Sequence, residues 1–201
     1  MIDEMLDIHA AVRRFLQEKT VISLVGDPEG FSPETYTKAG VVPFIRHEGG
    51  YRFYVMKPHF TIPELGAPAF QLCKGTRMQP VPGVGWQDIR GENAGPDSET
   101  LEQTALREGV EELGLKLSNI SALYDLGPYE FRSATTSKPK RMWLFAARII
   151  DSGDMLPDSA VEESTDERQW LSASEFAVVG RADHRYILDD MEVRLGSYIR
   201  D

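Results

Sequence analysis

The chain of 201 residues carries 22 Lys plus Arg against 32 Asp plus Glu, a formal charge of -10 at pH 7, with 41% apolar residues. That length and composition exclude a disordered chain and suit one domain whose core needs no disulfide or metal staple. The acidic balance opposes nonspecific capture of nucleic acid or an anionic membrane, so a phosphate-bearing ligand requires an intermediary cation or a concentrated set of Arg and Lys.

Residues 3–19 read as a helix, with Met5, His9, Val12 and Leu16 at three- and four-residue steps and Leu6 and Phe15 widening the stripe. This acidic stretch does not resemble a secretory leader, and no run approaches the roughly 18 apolar residues of a membrane span. A cytoplasmic setting without a membrane is the expectation. Gly26–Pro33 reads as a loop. Two β-rich runs, Val41–Arg46 and Tyr51–Met56, flank Glu48-Gly49-Gly50 as a hairpin, with Pro43 expected on an edge or in a bulge. Short strands are expected at Ala69–Lys74 and near Trp86–Ile89. Cys73, the single cysteine, excludes an intrachain disulfide framework and a thiolate-rich zinc site. Arg90–Ser98 reads as loop, Leu101–Leu113 as helix, and Ile120–Leu126 and Tyr129–Ser133 as extended. Thr135–Lys140 should be a loop, and Arg141–Ile150 is the strongest strand candidate. An acidic segment follows over Asp151–Glu167. Two short helices close the chain, one opening at Ser172 or Ser174, the other running through Tyr186, Asp190, Val193, Leu195 and Ile199.

The segment Glu99–Leu115 carries the chemistry. Thr100 with Gln103 forms a capping-box pattern, and Gly114 supplies the stop. On a helical wheel Leu106, Val110 and Leu113 span about 60°, an expected core face, while Glu108, Glu111 and Glu112 share about 100° on the other side. Like charges at i+3 and i+4 repel, and Glu111 and Glu112 lie near the negative end of the helix dipole. Gly109 adds a further cost inside a helix and is expected to mark close approach by substrate or a neighbouring loop. A hard divalent cation on these carboxylates, Mg2+ or Mn2+, relieves the repulsion and neutralises phosphate. The competing reading is a solvated acidic face.

Glu99, Arg107, Glu108, Glu111, Glu112, Gly114 and Leu115 stand in the register of G-x5-E-x7-R-E-U-x-E-E-x-G-U, where U is bulky and aliphatic, and here the chain resembles the Nudix hydrolase family. Two positions depart. The opening glycine falls on Asn93, with Gly91 expected to supply that turn, and Gly109 takes an aliphatic place. The resemblance extends over 36–175 and implies an α+β (mixed α/β) fold: a Nudix-like α/β/α sandwich with mixed central sheets and added terminal helices. The chain then divides into an N-terminal helix and linker, 1–35, packed on a Nudix-like hydrolase domain, 36–201, that includes the C-terminal helices.

The resemblance also implies roles. Glu108, Glu111 and Glu112 correspond to metal ligands. Arg107 looks like a brace for the helix and its acids, and Glu99 orients the loop or reaches the metal through water. Mg2+ (or Mn2+) and metal-activated water would cleave the pyrophosphate bond of a nucleoside diphosphate joined to another group, such as a nucleotide sugar, ADP-ribose, a dinucleotide or a nucleoside triphosphate. Some relatives take a general base from a distant loop, which makes Glu163 and Glu162 first candidates, followed by Asp158 and Glu167. Arg90, Arg132 and Arg141 are candidate phosphate contacts. Trp86, Tyr129 and Phe131 are core residues or base-stacking platforms, and His9, His47, His59 and His184 form no visible relay. Relatives that isomerise isopentenyl diphosphate with a cysteine and a glutamate make Cys73 a position to check. The expected partner is a nucleotide-derived small molecule, without a stable nucleic-acid complex, and a homodimer through the first helix is possible. The alternative function is a noncatalytic nucleotide-binding or regulatory module on the same fold.

Overall fold

In the computed structural model, residues 2–25, 32–58, 69–89, 94–132, 138–155 and 167–199 are described, with the side chains of 2–7 outside that description. The first helix, α1, covers Ile2–Glu18. The strands are β1 (Val21–Ser23), β2 (Lys38–His47), β3 (Gly50–Lys57), β4 (Gly75–Thr76), β5 (Met78–Val81), β6 (Gly85–Asp88), β7 (Ile120–Arg132), β8 (Pro139–Ile149) and β9 (Glu167–Leu171). The other helices are α2 (Leu101–Leu113), α3 (Ala173–Val179) and α4 (Arg185–Tyr198).

The main sheet runs β1-β7-β8-β2-β3-β9, with β4 pairing the start of β2, and β5–β6 forms a separate hairpin. It is mixed: β2 runs parallel to β8 and antiparallel to β3. Strand β8 is apolar without alternation because both of its faces are covered. Trp143, Phe145 and Ala147 join the core beneath α1 and α2, while Met142, Leu144 and Ala146 join the core beneath α3 and α4. Helices on both faces of a mixed sheet make the expected α/β/α sandwich.

The β2–β3 turn has positive φ at Glu48 (43°) and Gly49 (87°), as a two-residue hairpin requires, and Gly50 opens β3. Pro43 departs from expectation: it lies in a central strand, beside Ala147 of β8. Its missing N–H is tolerated because the β2–β3 register spans only Phe44–His47, and farther back β2 pairs β4 at Lys38–Ala39. Ala69–Lys74 is not a regular strand; Gln71 and Phe70 make isolated bridges to Met56 and Gly180. The two expected extended pieces after α2 are one strand, β7, interrupted by a register shift at Gly127 (φ 78°), whose N–H donates to Asp125 Oδ1 at 2.8 Å. Strands β1 and β5 had no sequence signal strong enough to name.

Candidate active site

Helix α2 is the platform. Thr100 Oγ1 accepts from Gln103 N at 3.2 Å and Gln103 Oε1 accepts from Thr100 N at 3.0 Å, closing the capping box. Gly114 (φ 63°) ends the helix, as expected. The buried face is rotated from the expected one: it comprises Leu101, Ala105, Leu106, Gly109 and Leu113, and Val110 is only half-buried. Gly109 lies directly on β2. A Cβ there would stand 2.6 Å from Val41 Cγ1 and 3.0 Å from Leu115 Cδ2, so the close approach it marks is that of the sheet rather than of substrate.

Arg107 gathers the acids. Its side chain is 5% exposed. Nε donates to Glu99 Oε1 at 2.8 Å, and Nη2 donates to Glu99 Oε2 at 3.2 Å and to Thr76 O at 2.9 Å. Nη1 lies 2.7 Å from both Glu108 Oε1 and Glu111 Oε2. Glu99, whose side chain is 0% exposed, also receives Met78 N at 2.9 Å and the Thr104 hydroxyl at 3.1 Å on Oε2, with His9 Nε2 at 2.9 Å from Oε1. Burial alone would raise the Glu99 pKa, but His9, Arg107 and the Met78 N–H outweigh it and hold the carboxyl at about 2. A buried anion with this many donors is a fixed anchor.

Glu108 has the opposite balance. Its side chain is 12% exposed and packs against Gly75, where a Cβ would overlap the carboxylate. Burial pushes its pKa up to about 7; Arg107 opposes the rise, while Glu112 and Glu111 add to it. Glu112 Oε2 accepts from Lys74 N at 3.3 Å, which ties the loop before β4 to the helix. Burial lowers the Lys74 amine to about 8, Arg181 adding to the fall and Glu112 opposing it. Glu99, Glu108 and Glu111 therefore share one guanidinium, with the charge of Glu112 also acting on Glu108, and an additional cation would relieve the surplus charge. The donor set, carboxylate oxygen alone, fits a hard divalent ion. The positions are less complete: among the described residues no three His, Cys, Asp or Glu are grouped as ligands of one ion, because Glu108 and Glu111 turn onto Arg107.

The NUDIX domain model matches residues 72–191, more than half of the chain. The chain belongs to the NUDIX family. It is a pyrophosphohydrolase of the Nudix type acting on a nucleotide-derived substrate. Among solved structures it is similar to a C. elegans Ap4A hydrolase binary complex, at 17% identity and TM-score 0.53, over 80% of this chain and 98% of that one. It is also similar to the E. coli dihydroneopterin triphosphate pyrophosphohydrolase, at 16% identity and TM-score 0.50, over 79% and 98% of the two chains. Shewanella oneidensis NrtR resembles it at 14% identity and TM-score 0.52, over 80% of this chain and 63% of that one. These likenesses show the fold. No curated protein matches the sequence.

The NUDIX signature is interrupted where the sequence departs from the pattern. Glu99 N donates to Met78 O at 2.9 Å and Met78 N donates to Glu99 Oε2 at 2.9 Å, so the chain leaves at Met78 and returns to the same place at Glu99. The β5–β6 hairpin is an excursion within the loop that precedes α2. The glycine packed against Glu108 is accordingly Gly75, ahead of that excursion. Gly91 and Asn93, the positions expected at this turn, lie outside the described residues, as do Arg90, His59, Asp158, Glu162 and Glu163.

Glu167 opens β9, where it pairs with Lys57, and the next residue, Arg168, donates through Nε to Glu112 O at 2.8 Å. Arg132 is exposed at the end of β7. Arg141 lies over the Tyr36 ring at 5.6 Å and faces Glu130 across the β7–β8 ladder. Tyr129 and Phe131 belong to the core beneath α4. Cys73 is buried, and burial followed by Glu112 and Glu108 pushes its thiol well up, away from the thiolate that nucleophilic chemistry requires. Sequence reasoning missed His9, which is not isolated but meets Glu99, and missed Gly75 as the helix-packing glycine. It also missed that Arg77 is buried, with Nε on Glu99 O at 2.7 Å and Nη1 on Tyr36 O at 3.2 Å.

Among the described residues no helix is long and apolar enough to cross a membrane.

Proposed function

We propose that the protein hydrolyses the pyrophosphate bond of a nucleoside diphosphate linked to a second group, with Glu108, Glu111 and Glu112 holding Mg2+ or Mn2+. The supporting observation is the crowding of Glu108 and Glu111 of α2, together with Glu99, around the one Arg107 guanidinium, with Glu108 buried against Gly75 and its pKa raised to about 7. When bound, the cation supplies charge neutralisation at the bridging phosphates and acidifies the attacking water. Arg107 keeps Glu108 and Glu111 on the same side of the helix, and Glu99 keeps Arg107 in place. Glu112, bonded to Lys74 N, holds the loop before β4 against the acids. Glu163 or Glu162 remains the proposed distal base, and Arg90 and Arg132 the proposed phosphate contacts.

The same reading includes the division into an N-terminal unit, 1–35, and a domain, 36–201, a cytoplasmic setting, and a net charge of -10 that disfavours a stable nucleic-acid complex. A homodimer through α1 would have to use its other face, because Val12 and Phe15 of α1 are already buried in the core shared with α2. The substrate class is open among nucleotide sugars, ADP-ribose, dinucleotides and nucleoside triphosphates. A panel of these with Mg2+ and with Mn2+, followed by identification of products, tests the proposal. Cleavage of at least one to two phosphate-bearing products is expected. Binding without cleavage across the panel would favour the regulatory-module reading, which the departures from the signature at Asn93 and Gly109 motivate.

A further inference from the structure

Glu99 is held from two directions, and one of them originates outside the matched domain. His9 lies on α1, ahead of residues 72–191. Its Nε2 is 2.9 Å from Glu99 Oε1, the oxygen that also receives Arg107 Nε at 2.8 Å. The imidazole cannot swing freely. It stacks on Trp86 of the inserted hairpin with ring centroids 4.3 Å apart and planes 13° from parallel. Arg13, one turn farther along α1, lies 5.6 Å over the same indole. Val12 and Phe15 anchor α1 in the apolar core, with Ile8 and Leu16 packed against the same cluster, so attachment of the helix does not require an imidazole at position 9.

We propose that His9 is a positioning residue for hydrolysis. Through it, α1 and the β5–β6 hairpin complete the hold on Glu99, which fixes Arg107 and thereby the directions of Glu108 and Glu111. The inference rests on the reading of the α2 acids given above. Two partners on one buried oxygen, the Arg107 Nε donor at 2.8 Å and His9 Nε2 at 2.9 Å, leave it less freedom than one, and outer partners of this kind commonly affect activity without touching substrate. A purely apolar packing role would be served as well by Leu.

Three variants test this: His9→Ala, His9→Gln and Trp86→Leu. For His9→Ala, kcat at saturating Mg2+ should fall about tenfold or more while KM changes by less than about twofold. His9→Gln, whose amide nitrogen reaches the position of Nε2, should recover most of that loss, and Trp86→Leu should lie between. A second readout is independent of turnover. The Arg107 Nε–H resonance in 15N NMR should shift and exchange faster with water in His9→Ala, and return in His9→Gln. An unchanged kcat and an unchanged Arg107 resonance in His9→Ala, with only Tm lowered, would overturn the proposal, as would a His9→Gln variant no better than His9→Ala. If the wild-type protein cleaves nothing, the hydrolase reading fails, and the Arg107 resonance still decides whether His9 sets the network.

Discussion

Gly75 and Glu108 approach so closely that a methyl group on the glycine would overlap the glutamate carboxylate. The strand β4 and the helix α2 are thereby locked together at the point where the acids gather, and a residue with no side chain is required on the strand. Gly75→Ala should displace Glu108 from the Nη1 atom of Arg107 and lower turnover about tenfold or more. The fold should survive, because the intruding contact is with a side chain that can move. A kinetic assay paired with a thermal melt checks both halves.

The two buried glutamates make opposite pH predictions. Glu99 is held at about 2, below its ordinary 4.5, so its contribution to stability is present above pH 4.5 and is lost as pH falls toward 2. Glu108 is raised to about 7, so its contribution is complete below pH 4.5 and is lost as pH rises through 7. In metal-free buffer near pH 8, Glu108→Gln should therefore raise Tm, on the order of 2–6 °C for a chain of this size, while turnover falls. Glu99→Gln should lower Tm at neutral pH and flatten the acid limb. Melts from about pH 3 to 8 measure all four trends.

Glu111→Gln and Glu112→Gln should each lower kcat about 10²-fold or more at saturating Mg2+, with the far-ultraviolet spectrum unchanged. Glu111 is 32% exposed and bonded to Arg107, so its loss leaves no buried orphan, and a folding defect is not expected. Turnover like that of the wild type in both variants would remove them from the mechanism.

Gly109 tests the packing side of α2. Ala there gains about 1 kcal/mol of helix propensity but drives a methyl group into Val41, and overpacking of that kind costs about 1–3 kcal/mol. The net effect should be a lower denaturation midpoint with little change in KM. Adding Val41→Ala should restore part of the midpoint, because it makes room for the same methyl group.

Much of this site is legible in the sequence because it is local. The Thr100–Gln103 box, the Gly114 stop and the acids on α2 all lie within one helix, where spacing converts directly to geometry. The final strand, turn and helix were legible for the same reason, Ser172 and Glu175 forming a second capping box. What escaped was long-range. His9 and Glu99 meet only because α1 packs on α2, and nothing in either segment names the other. Gly75 is not legible because the hairpin inserted after Met78 breaks the spacing by which the motif is read. Pro43 misled because single-strand rules place proline at an edge, whereas here β2 exchanges β4 for β3 as partner next to it.

Cation binding by the α2 acids is measured most directly by titrating Mn2+ into metal-free protein and following the free ion by electron paramagnetic resonance, for the wild type and for Glu112→Gln. At least one Mn2+ should bind the wild type, with affinity lowered about tenfold or more in Glu112→Gln. No uptake by the wild type, even with a nonhydrolysable nucleotide present, or equal uptake by both proteins, would contradict the assignment of Glu108, Glu111 and Glu112 as its ligands.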